Sequence, residues 1–180
     1  MSIITIGMRL ANITTSRASV IPFTYKENKL YFLLGQDRES GDITDLGGGV
    51  KQHETSLAGA LRELGEESDG IFGELSPNDT KVSQAIALLD NHRATLFIPL
   101  SEEWFEKAPK LFESQKILAK KKSHNEMKCL IWVDEESFVS ITKGGFIGER
   151  QLWRKLRRFY YDGYNVKLRN ALITSIAINA

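Results

Sequence analysis

The chain has 180 residues, 42% of them hydrophobic, which is enough for one well-buried core and too few for two comfortable domains. Its 24 Lys and Arg nearly cancel its 23 Asp and Glu, which excludes binding to nucleic acid or a membrane surface through bulk charge and leaves only local electrostatic preferences. A lone cysteine, Cys129 in the apolar run Cys129-Leu130-Ile131-Trp132-Val133, excludes an intramolecular disulfide and reads as a core residue.

No window approaches the roughly 18 apolar residues that a membrane span needs. The first twenty residues lack the continuous apolar run and cleavage site of a secretory signal, so the sequon-like Asn12-Ile13-Thr14 carries no meaning and a reducing, cytoplasmic setting is expected. One domain over 1–180 is expected, with helices from about residue 146 packed on it.

In chain order, SVIPFTY and KLYFLLGQDR, two apolar and β-branched runs flanking the polar Lys26-Glu27-Asn28, predict a β-hairpin from Ser19 to Arg38. The turn-rich ESGDITDLGGGV follows, and its three glycines, Gly47, Gly48 and Gly49, predict a backbone-exposed loop. From Thr55 to about Ser68, Leu57, Ala60, Leu61 and Leu64 recur at helical spacing and make one apolar stripe. Strands are predicted at Lys81 to Leu89, Arg93 to Leu100 and Met127 to Val133, with helix between the last two, broken at Pro109. The tail reads as helix from about Gly148 to Tyr161 and again from Val166 to Ile176. Strands mixed with helices predict an α+β or sandwich architecture, not a doubly wound one.

Glu63, Glu66 and Glu67 stand at i, i+3 and i+4, so the predicted helix gathers three carboxylates on one surface. Like charges at that spacing repel by a few tenths of a kcal/mol per pair in water, and by more where water is excluded. Arg62 offsets part of this, and a hard cation that prefers oxygen ligands, Mg²⁺ or Mn²⁺, would offset more. A solvated acidic helix face is the plain alternative. The glycines ahead of the helix weigh against it, because they let backbone groups approach an ion or phosphate closely beside the helix N-terminus.

The spacing of these residues resembles the Nudix box. That motif has a Gly, a Glu six positions on, Arg-Glu eight positions later, an aliphatic residue, any residue and Glu-Glu, and here Gly48, Glu54, Arg62-Glu63, Leu64 and Glu66-Glu67 fall on those places. The chain departs from it once, with Asp69 where the family has Gly; Asp69 or the following Gly70 is expected to make the left-handed helix exit.

The resemblance implies an α/β/α sandwich with a mixed sheet between helices, and a Mg²⁺- or Mn²⁺-dependent pyrophosphohydrolase acting on a nucleoside diphosphate linked to another group. It implies Glu63, Glu66 and Glu67 as metal ligands, a backbone carbonyl near Gly47 or Gly48 beside them, and Glu54 and Arg62 as supports of those ligands. The general base lies either in the box or on a later loop before a strand, where Glu126 stands. Other implied readings are an RNA 5′-end or cap hydrolase and a Nudix-fold nucleotide or RNA binding module without turnover.

Recognition of the substrate is less marked. Arg38, Gly47 and Gly49 are candidate substrate contacts. Arg150, Arg154, Lys155, Arg157 and Arg158 alternate with Leu152, Trp153, Leu156, Phe159 and Tyr160 as a helix with a solvated basic face would, though with Lys120, Lys121 and Lys122 they also suit a polyphosphate or RNA backbone. Trp104, Trp132, Phe23 and Tyr31 are stacking candidates whose ordinary place is the core.

Overall fold

The computed structural model describes residues 2–118 and 126–179, so Lys120, Lys121 and Lys122 lie outside the described residues. The elements are β1 (Ile3–Ile6), a 3₁₀ helix (Gly7–Asn12), β2 (Arg17–Lys26), β3 (Lys29–Asp37), β4 (Ile43–Thr44), β5 (Leu46–Gly49), α1 (Ser56–Glu67), α2 (Thr80–Ser83), β6 (Ile86–Leu89) and β7 (Arg93–Pro99). They continue with α3 (Trp104–Leu118), β8 (Met127–Asp134), α4 (Glu135–Thr142), β9 (Phe146–Ile147), β10 (Arg150–Gln151), α5 (Arg154–Gly163) and α6 (Val166–Asn179). Among the described residues no helix is long and apolar enough to cross a membrane.

The hairpin of β2 and β3 forms as the alternation predicts, because Glu27 and Asn28 both take positive φ, 50° and 64°, the two-residue turn whose twist matches the flanking strands. The strand order is β1-β6-β7-β2-β3-β4, with β8 also on β3 and β5 also on β2. All pairings in this sheet are antiparallel except that of β2 with β7, so the sheet is mixed. One face carries Leu57, Ala60 and Leu64 of α1 and Ala108 and Phe112 of α3; the other carries Phe138 of α4, Leu156 and Tyr160 of α5 and Leu168 and Leu172 of α6. This is the α/β/α sandwich that the motif implied.

The sheet also opens a cleft. β2 pairs with β3 only from Phe23 to Lys26; toward its start, Arg17 to Val20 pair instead with β5, while Gly35 and Gln36 of β3 pair with β4. Residues 43–49 are thus drawn between two diverging strands, and the glycines expected in a loop form strand β5. The reason is close approach: a Cβ on Gly47 would sit 2.1 Å from Ser19 Cβ, so glycine is what lets β5 lie against β2.

Three other expectations are corrected. The strand predicted from Lys81 begins only at Ile86, because the short polar residues Asp79 and Thr80 start the one-turn helix α2, with Asp79 O accepting from Val82 and Ser83 N–H. Pro109 does not break α3; buried Ala108 and Phe112 hold the helix on the sheet and outweigh the lost hydrogen bond. The tail helix starts at Arg154 rather than Gly148, whose φ of 62° makes the turn between β9 and β10. Cys129 is half-buried, its Sγ 3.6 Å from Gln36 Oε1.

Candidate active site

Helix α1 is fixed at both ends. Thr55 caps it by accepting from Ala58 N–H at 3.2 Å, and Ser56 N–H donates to Ile13 O at 2.8 Å. At the exit both Asp69 and Gly70 take positive φ, 52° and 72°, and Gly70 N–H reaches back to Gly65 O at 2.9 Å. The exit therefore uses both residues where the motif has one glycine.

With Leu57, Ala60 and Leu64 in the core, the helix turns Glu63 and Glu67 toward strand β5. The Glu63 carboxylate lies so close to Gly48 that a Cβ there would meet it at 2.6 Å, and Gly47 N–H donates to Glu67. Both carboxylates line a cavity of about 540 Å³, together with Arg17, Asp37, Glu39, Ser40, Thr44, Gly47, Gly48, Glu126, Met127 and Trp153.

Arg62 is the hub of the neighbouring polar contacts. Its Nε and Nη2 donate to the two oxygens of Glu54 at 2.9 and 3.0 Å, Nη1 donates to Glu63 at 2.6 Å and Glu66 at 3.0 Å, and Nη2 also reaches Gly49 O at 2.9 Å. Hydrogen bonding to Glu54 raises its pKa further, so it stays charged. Glu54 in turn accepts from Lys51 N–H at 2.9 Å, which ties the segment between β5 and α1 to the helix.

The three glutamates are therefore divided. Glu66 is half-exposed, turned to Arg62 and not part of the cavity wall. Among the described residues no three His, Cys, Asp or Glu side chains are gathered closely enough to form a ligand cluster as they stand. The donor set nonetheless fits a hard cation. Glu67 is only 8% exposed and its Oε2 has no hydrogen-bond partner. Burial, then the charge of Asp45, pushes its carboxyl up to about 9 against the pull of Arg17.

Of the other expected residues, Gly47, Gly48 and Glu126 reach the cavity, whereas Arg38 and Gly49 are not in its wall. Arg38 folds over β8, its Nη2 3.5 Å from Met127 O, and Gly49 O serves Arg62. Phe23 is fully buried; Tyr31 and Trp132 pack on Phe105, and Trp104 packs on Phe72. The aromatic side chain in the cavity wall is instead Trp153, held at the start of α5 by donation of its N–H to Ile43 O at 2.8 Å.

Sequence reasoning also passed over Arg17 and Asp45. Asp45 is 1% exposed and accepts from Arg17 Nη2 at 2.5 Å and from the Tyr160 hydroxyl at 2.6 Å. Burial would raise its pKa, but the Arg17 charge and donors from Ser19, Tyr160 and Arg17 hold it below the usual carboxylate value. The only sequence cue was the acid placed directly before Leu46 and the glycines.

The solved structures that the chain resembles share its fold. A MutT/nudix family protein from Enterococcus faecalis superposes with a TM-score of 0.51 over 91% of this chain and 67% of that one, at 12% identity. A C. elegans Ap4A hydrolase aligns over 87% of this chain and 99% of its own at 15% identity and TM-score 0.48. A Bacillus subtilis pyrophosphohydrolase, BsRppH, aligns over 99% and 91% at 13% identity and TM-score 0.48. No protein-family model matches the sequence, and no curated protein sequence does. The likeness is one of fold, and the fold is the Nudix fold.

Proposed function

We propose that this chain is a divalent-metal-dependent pyrophosphohydrolase, cleaving a phosphoanhydride bond in a nucleoside diphosphate linked to another group. The observation that carries this reading is the Glu67 carboxylate, buried with an unpartnered oxygen beside Glu63 in the wall of the cavity. A buried acid with one oxygen unpartnered is costly to ionise, and a cation removes that cost. Glu63 and Glu67, with oxygens of the Gly47-Gly48 backbone, would hold Mg²⁺ or Mn²⁺, which supplies charge neutralisation on the diphosphate and an acidified water. Glu66 would join them by releasing Arg62, a change of side-chain partner on the same helix face.

Glu126, the residue before β8, lines the same cavity and is exposed. It is the residue proposed to take the proton from water. Arg62 orients rather than reacts, since its hydrogen bonds go to Glu54, Glu63, Glu66 and Gly49.

The test is phosphate release from a panel of nucleotide sugars, dinucleotides, oxidised nucleoside triphosphates and capped RNA, with Mg²⁺ and Mn²⁺. Turnover that needs the metal and falls by about a hundredfold or more in Glu67→Gln is expected. Metal-dependent turnover equal in wild type and Glu67→Gln would remove the assignment.

One observation favours the RNA-end reading as a second choice. Arg154 and Lys155 are exposed and follow directly on Trp153 of the cavity wall, so a polyanion leaving the cavity would run along α5. RNA binding that weakens steeply with salt is expected there, and flat salt dependence would count against it.

A further inference from the structure

Arg17 is the only cation among the described residues of the cavity wall. The other charged groups on that wall are the carboxylates of Asp37, Glu39, Glu63, Glu67 and Glu126, so a phosphate that enters finds its direct contact with a protein cation at this guanidinium. The side chain is not free to move away. Nη2 is held on Asp45 at 2.5 Å, and the guanidinium carbon lies 5.6 Å from the centroid of the Trp153 ring. Its Nε is buried without a hydrogen-bond partner.

Asp45 is itself fixed from the far face of the sheet. Its second oxygen accepts from the Tyr160 hydroxyl, which stands 3.2 Å from Thr95 Oγ1; Thr95 is in turn 2.8 Å from Ser19 Oγ. Each of Asp45, Tyr160, Thr95 and Ser19 is buried. A surface ion pair would need none of this. A buried carboxylate whose donors come from β2 and from α5 sets the position and orientation of one arginine at the cavity edge.

We propose that Arg17 is the phosphate-contacting cation of this cavity and that Asp45 and Tyr160 are positioning residues that hold its guanidinium toward the ligand. The ligand class is a nucleoside diphosphate or its ester, and to that extent the inference rests on the pyrophosphohydrolase reading. It adds that helix α5 takes part in substrate recognition through Tyr160 and, at its start, Trp153.

Calorimetric binding of ADP with Mg²⁺ tests this without turnover, and adenosine, which has no phosphate, is the control ligand. Arg17→Lys keeps the charge but not the planar fork and should weaken ADP about tenfold, with adenosine unaffected. Tyr160→Phe removes one oxygen from a packed ring and should weaken ADP about threefold, again sparing adenosine; a purely structural Tyr160 would lower Tm and leave the ADP-to-adenosine ratio unchanged. Tyr160→Phe carries the test if Arg17→Lys does not fold.

The proposal is overturned if wild type does not bind ADP, or if the folded variants bind it as wild type does. Arg17-dependent ADP binding without turnover on any substrate would remove the hydrolase reading and leave this inference standing. Glu67-dependent turnover with ADP binding indifferent to Arg17 and Tyr160 would do the reverse.

Discussion

Arg62 grips Glu54 with a fork, Nε to one carboxylate oxygen at 2.9 Å and Nη2 to the other at 3.0 Å, and so locks the segment after the glycine strand to the middle of α1. The same guanidinium spans Glu63 and Glu66, so one side chain sets the spacing of strand, helix and two of the carboxylates. Lysine has the charge but cannot make the fork and the bridge at once. Arg62→Lys should lower stability by about 1–3 kcal/mol, which for a chain of this size is a fall in Tm of roughly 2–4 °C per kcal/mol. Its Mg²⁺ midpoint should rise by about tenfold or more, because groups that orient metal ligands carry that much affinity. An unchanged metal titration in Arg62→Lys would show that Glu63 and Glu66 need no such support.

Gly48 and Gly49 are adjacent, yet only one is crowded. A Cβ on Gly48 would stand 2.6 Å from the Glu63 carboxylate, whereas a Cβ on Gly49 meets nothing within 4 Å. Gly48→Ala should therefore push Glu63 off the strand and depress metal-dependent turnover by about tenfold or more, at a stability cost of about 1–3 kcal/mol. Gly49→Ala should change both little, which makes the pair a matched control. Equal effects from the two substitutions would mean that the contact between Gly48 and Glu63 has no part in activity.

How far the sequence reveals this site depends on the distance between partners along the chain. Arg62 and Glu66 sit at i and i+4 of one helix, where 3.6-residue periodicity fixes who meets whom, and their contact follows from spacing alone. The periodicity could not say that Glu67 faces the cavity and Glu66 does not, because that depends on how Leu57, Ala60 and Leu64 seat the helix on the sheet. Arg17, Asp45 and Tyr160 are far apart in sequence and meet only because β5 pairs with β2 and α5 packs behind them. Neither local pattern nor propensity carries that information. The glycines show the same limit: their need for space was legible, but not that the space was for Ser19 of a neighbouring strand.

Glu67 gives stability a pH dependence with a defined sign. Burial, together with the charges of Asp45 and Glu63 and against those of Arg17 and the Gly47 N–H, pushes its carboxyl from 4.5 up to about 9 in the metal-free fold. The folded chain thus keeps a proton that the unfolded chain releases above its ordinary value. Metal-free stability should fall as pH rises from 4.5 toward 9, and this contribution should level off beyond. Glutamine cannot ionise, so Glu67→Gln should be the more stable protein in a chelating buffer, by a margin that is small near about pH 5 and grows to several degrees of Tm near about pH 8.5. Mg²⁺ should narrow the margin by binding the ionised wild-type acid, and more strongly at the higher pH, where no proton competes. A Tm difference between wild type and variant that stays constant over this range would show that Glu67 ionises freely, and with that the case for a buried acid awaiting a cation would be lost.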